Sequence, residues 1–167
     1  MLPVSFIAVV TAFVIHEIGH KVVANHFGFP AAFSYSKRGL MLAGFLSIVF
    51  GILVAAPGAV YIYGHPSKKE NGIISLAGPI TNLILGIIFF TIFITFAFFS
   101  ILFKPSSFIG SAAALVAIIN FFIGSFNMIP VMPFDGAKIF KWSKIIYFLM
   151  LALLLPPTFI FLFGIII

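Results

Sequence analysis

The sequence has no cysteine and only three acidic residues in 167 positions. The first absence excludes a disulfide framework and a thiolate metal site, so any metal must be held by nitrogen and oxygen. The second is part of a general poverty of charge. Charged residues make up 7% of the chain, against about a quarter in a soluble domain. Apolar residues fill the space: 63% of positions are hydrophobic and the mean hydropathy is +1.31, which places most of the length in membrane spans. The formal charge of +6 does not indicate a nucleic-acid surface, because the nine Lys and Arg residues are scattered singly and in pairs between apolar segments. They have the distribution of topology signals at a membrane surface. No basic segment or small-residue cleavage site accompanies the apolar N-terminus, so the first span is expected to be retained rather than removed as a signal peptide.

Four spans are expected in a single domain over 1–167, with no internal repeat. The first runs roughly from Pro3 to Asn25, with Gly28 beyond its end. A polar stretch to Arg38 follows. The apolar run 39–63 is interrupted by Pro57 and Gly58, and 59–63 (Ala-Val-Tyr-Ile-Tyr) has the composition of a strand. Lys68 to Gly72 reads as a charged loop, Ile73 to Phe103 as the second span, and Phe108 to Asn127 as the third. Pro130 and Pro133 break the helix ahead of Asp135. The last span covers 144–167 and contains Pro156 and Pro157.

Two of the three acids, Glu17 and Asp135, lie in apolar surroundings, where an ionisable group marks a functional site by default. Glu17 stands inside His16-Glu17-Ile18-Gly19-His20. At i and i+4 on a helix both imidazoles face one way and can bind one zinc ion, while Glu17, offset by a residue, is placed to act as general base. Catalytic zinc takes a third protein ligand. Glu70 reads as a solvated charge in a lysine-rich loop, which leaves Asp135 as the candidate; its alternative role is an interfacial pair with Lys138. His26 points about 240° away from the ligand face and His65 lies beside Pro66, so both read as interfacial or loop histidines. Asn82 and Asn127 are amides in apolar segments, suited equally to donating to an oxyanion or to bonding helices together.

A site built from the first span, Asn82 and 127–135 requires their ends to share one side of the membrane, so 39–63 must enter and return. About 16 helical residues reach about 24 Å, and about seven extended residues come back about 23 Å, so a re-entrant helix and strand hairpin is feasible. Charge agrees. On this topology Lys21, Lys37, Arg38, Lys68, Lys69, Lys138, Lys141 and Lys144 lie on the side of the site and only Lys104 opposite. The positive-inside rule then directs the site to the cytosol. The expected architecture is an all-α polytopic membrane protein with about four transmembrane helices and a re-entrant hairpin at 39–63.

His16 to His20, Gly78-Pro79-Ile80-Thr81-Asn82 and Asn127 to Gly136 occur in this order in separate apolar segments. Together they resemble the HExxH, GPxxN and NxxPxxPxDG patterns of the site-2 protease family of intramembrane zinc metalloproteases, over roughly residues 12 to 140. The resemblance is to compact members and implies one zinc ion bound by His16, His20 and Asp135, with Glu17 as general base. It also implies that Asn82 and Asn127 hold substrate or stabilise the tetrahedral intermediate. The implied substrates are transmembrane proteins, cut within or near their membrane segments as in regulated intramembrane proteolysis. Phe134 stands where many members have Leu, and no PDZ or CBS accessory domain is expected beside this core. The segment 57–62 looks like the family's membrane-embedded β element. From the residues alone, a non-proteolytic metal-binding membrane protein and a small cation or proton transporter are the alternatives.

Overall fold

The computed structural model of the chain describes residues 2–34, 59–103 and 108–164. Within them the order is α1 (Leu2–His26), β1 (Ala31–Ser34), β2 (Ala59–Ile62), α2 (Lys68–Phe103), α3 (Phe108–Asn127), α4 (Asp135–Trp142) and α5 (Lys144–Gly164). Four helices, α1, α2, α3 and α5, are long and apolar enough to cross a membrane, as expected.

The buried residues of α1 include Ala8, Ala12, His16, His20 and Ala24, one every fourth position, which is the spacing of a single helix face. Three are alanines, so the face is shallow and its neighbour comes close; at Gly19 an added Cβ would lie only 3.1 Å from the Ala77 carbonyl oxygen of α2. The other face exposes Phe6, Ile7, Val14, Ile18 and Val22, an apolar surface suited to lipid. The helix stops at a Schellman turn. Phe29 N–H reaches Ala24 O and Gly28 N–H reaches Asn25 O, both at 3.0 Å, with Gly28 in the left-handed region at φ 81°.

α2 begins at Lys68, so the stretch expected to be a charged loop is its first turn. The cause is a capping box: Ser67 N–H donates to Glu70 Oε2 at 2.7 Å and Glu70 N–H to Ser67 Oγ at 3.3 Å. Glu70 is therefore engaged at a helix start rather than free in a loop.

Contacts between α1 and α2 run in opposite order along the two helices, His16 meeting Asn82 and His20 meeting Ile74, so the helices are antiparallel. The connection between them therefore leaves and returns at one end of the bundle, as the re-entrant topology requires. The segment 39–58, expected to form the first part of a re-entrant hairpin, falls outside the described residues. β2 pairs antiparallel with β1 in the register Ala31 with Ile62 and Phe33 with Val60.

Phe121 of α3, Ile139 of α4 and Tyr147, Leu154 and Phe161 of α5 belong to one buried apolar cluster. α5 stays helical through Pro156 and Pro157. There Thr158 Oγ1 donates to Leu154 O at 2.7 Å and lies 2.8 Å from Ser125 Oγ of α3. α4 is docked onto the first turn of α2, where Gly72 leaves room for the Trp142 side chain.

Candidate functional site

His16 and His20 project from the buried face of α1 toward α2, and Asp135 reaches them from the first residue of α4. The loop from Met128 to Phe134 delivers Asp135. It folds back so tightly that a Cβ on Gly136 would overlap the Met128 carbonyl, which only glycine avoids. The three side chains meet closely: His16 Nε2 and His20 Nε2 are 3.1 Å apart, and Asp135 Oδ2 lies 3.2 Å from the first and 3.0 Å from the second.

The opposite nitrogen of each ring fixes what these atoms are. Nδ1 of His20 faces the Ile74 carbonyl oxygen at 2.8 Å, and Nδ1 of His16 faces Asn82 Oδ1. Both partners are acceptors, so in the neutral rings both Nδ1 atoms carry the proton and both Nε2 atoms present lone pairs. Two lone pairs and a carboxylate oxygen thus converge on one point, an arrangement that repels itself unless a cation lies between them. Tetrahedral zinc with bonds of about 2.0–2.1 Å separates its donors by about 3.3 Å, close to the spacings seen. The donor set fits zinc: nitrogen and oxygen only, three protein ligands, and each histidine oriented by a carbonyl-type acceptor behind it.

Gly78 forms one wall of this point. A Cβ there would fall 2.5 Å from His20 Nε2 and nearer still to His16 Nε2, overlapping both nitrogens. Lys138 Nζ lies 3.4 Å from Asp135 Oδ1, so the interfacial pairing weighed as an alternative exists, on the oxygen that does not face the histidines.

Glu17 is half-buried and outside the three-residue cluster, in keeping with its offset on the helix. Its Oε2 accepts from the Val60 N–H of β2 at 2.7 Å, which ties the strand to α1. Asn82 is fully buried and fully engaged. Its Oδ1 serves His16, and its Nδ2 donates to Ala12 O at 3.2 Å and to Asn120 Oδ1 at 3.0 Å. Of the two roles open to this amide, bonding between helices is what the structure displays. Both of its protons are spoken for.

Asn127 donates to Ile123 O one turn back at 3.0 Å, and among the described contacts it does not reach the histidines. His26 and His65 are exposed and lie outside the cluster. Asn120, 1% exposed and bonded to Asn82, escaped the sequence reading. A lone amide in an apolar helix carries no spacing relation to the other motifs, and its burial as a polar side chain is the signal that only structure supplies.

No protein-family model matches the chain, and no solved structure matches it. Curated proteins do. It is 41% identical over 145 residues to a Methanocaldococcus jannaschii protein named as a candidate zinc metalloprotease, covering 86% of this chain and 72% of that one. A Bacillus subtilis protein with the same kind of name is 26% identical, covering 84% of this chain and 69% of its own. A second M. jannaschii protein, named a zinc metalloprotease, is 27% identical over 83% of this chain and 33% of its own length.

Proposed function

Since the chain belongs to a family of zinc metalloproteases, we propose that it cuts peptide bonds within or beside the transmembrane segments of other membrane proteins, at a site opening toward the cytosol. The observation that carries this proposal is the depth of the chemistry. His16 and His20 lie about 9–15 Å along α1 from its end at His26, in a helix apolar enough to span a bilayer. A hydrolytic site there has membrane segments as its natural substrates. The alternatives of a silent metal protein or a transporter explain neither the general base beside the ligands nor the names of the relatives.

Zinc bound by His16, His20 and Asp135 would supply Lewis-acid activation of water and of the scissile carbonyl. Glu17 takes the proton of the attacking water and returns it to the leaving amine. Asn82 orients His16 from behind, while Asn127, at the end of α3, is the amide left for substrate or oxyanion contact.

A transmembrane substrate must unwind first, because helical hydrogen bonds occupy its carbonyls. β2 is built to take the unwound segment. Tyr63 N–H bonds Pro30 O at 2.9 Å, so by antiparallel alternation the polar groups of Val60 and Ile62 point away from β1, along an edge that pairs with no other strand among the described residues. A substrate strand pairing there gains main-chain hydrogen bonds and takes the Val60 N–H from Glu17, releasing the carboxylate for catalysis. The arm 39–58 completes the proposed re-entrant hairpin.

The test uses purified protein reconstituted with a model transmembrane substrate, with zinc measured in the same sample. Glu17→Gln is expected to keep one zinc per chain and to lose cleavage by about 10²-fold or more. Full cleavage by that variant would remove Glu17 from the mechanism.

A further inference from the structure

We infer that Asn120 is a positioning residue for the metal site, selecting through Asn82 the tautomer in which His16 can bind zinc. The inference rests on zinc and on His16 as its ligand, and it holds whichever bond the enzyme cuts.

A neutral imidazole has two tautomers, and His16 presents a lone pair to His20 and Asp135 only when its proton is on Nδ1. The Asn82 amide decides which form is stable. With Oδ1 toward His16 it accepts from Nδ1. Rotated by 180°, it would offer Nδ2 instead, favour the proton on Nε2 and aim that proton into the ligand cluster. The amide must therefore be held one way round.

Two acceptors hold it. Ala12 O takes one Nδ2 proton at 3.2 Å. Asn120 Oδ1 takes the other at the shorter distance of 3.0 Å. Asn120 is itself an amide that could rotate, and it is fixed because its Nδ2 donates to Val116 O at 2.9 Å. A backbone carbonyl can only accept, so the direction of every bond in the series is set from that end: Val116 O, Asn120, Asn82, His16. The three side chains are 1%, 0% and 2% exposed in that order, so solvent does not supply a substitute acceptor. The series runs from α3 through α2 to α1, and it makes the metal-binding form of a first-span histidine depend on a third-span amide.

The test is zinc affinity by chelator competition for wild type, Asn120→Leu, Asn82→Leu and the double variant, with unfolding of the metal-free proteins followed alongside. Asn120→Leu is expected to weaken zinc about tenfold, the low end of losses from partners behind a ligand. The loss should vanish in the Asn82→Leu background, because the relay is already cut. Unchanged affinity, or the same loss whatever stands at 82, would overturn the inference. If Asn120→Leu does not fold, imidazole ¹⁵N spectra of metal-free wild type decide. The His16 proton should be on Nδ1 in the neutral ring, and a proton on Nε2 would overturn the proposal.

Discussion

Gly78 faces the lone pairs of two histidines, and at that position a single methyl group does the most harm. A Cβ there would overlap the Nε2 atoms of both histidines and push them apart, so Gly78→Ala is expected to lose zinc affinity by about 100-fold while helical content by circular dichroism stays unchanged. A variant with wild-type zinc content would show that the wall is not where the structure puts it. Much at this scale was legible in the sequence. The spacing of His16, Glu17 and His20 is that of a helical zinc site with its base, and with only three acids in the chain, elimination leaves Asp135 as the candidate third ligand. The structure brings His16, His20 and Asp135 within reach of one ion. What spacing could not give is the orientation of amides. Asn82 reads equally as oxyanion donor or helix bond until its two protons are seen to be engaged, and the Val60 partner of Glu17 belongs to a segment 43 residues away.

Helices and strands differ in how clearly they announce themselves. Four long apolar runs make four helices, because apolar length is the strongest signal a chain carries. The short elements were harder. β1 is four residues, Ala31–Ser34, in a stretch that reads as polar connection, and it exists because β2 returns to pair with it. α4 is eight residues behind two prolines, held by packing of Ile139 and Trp142 that no local pattern reveals. The start of α2 was in principle readable, since Ser67 and Glu70 have capping-box spacing. At this scale the proposed role of β2 has a direct test. Val60→Pro removes the edge N–H without touching a zinc ligand, and it is expected to retain zinc while raising KM for a transmembrane substrate about fivefold, the worth of one backbone hydrogen bond of roughly 1 kcal/mol. An unchanged KM would mean that substrate does not pair along this edge.

The whole molecule is a bundle with its chemistry toward one end. Lys68 and Lys69 start α2, and Lys138 and Lys141 lie on α4, docked against that same start through Trp142 and Gly72. Basic charge and site therefore share an end, and the proposed orientation, following the positive-inside rule, turns that end to the cytosol. The absence of cysteine gives a clean assay: Lys69→Cys and Lys141→Cys should each react with a membrane-impermeant maleimide only when the cytosolic face is open to it. Labelling from the outer face alone would invert the proposed topology. Proteolysis inside the membrane, as proposed for this zinc metalloprotease, is read most directly from the masses of the fragments released from a reconstituted transmembrane substrate. A cut within the apolar segment, toward its cytosolic end, is expected, abolished by zinc chelation and restored by added zinc. Cuts confined to the soluble flanks, or cleavage that persists after zinc is removed, would contradict it.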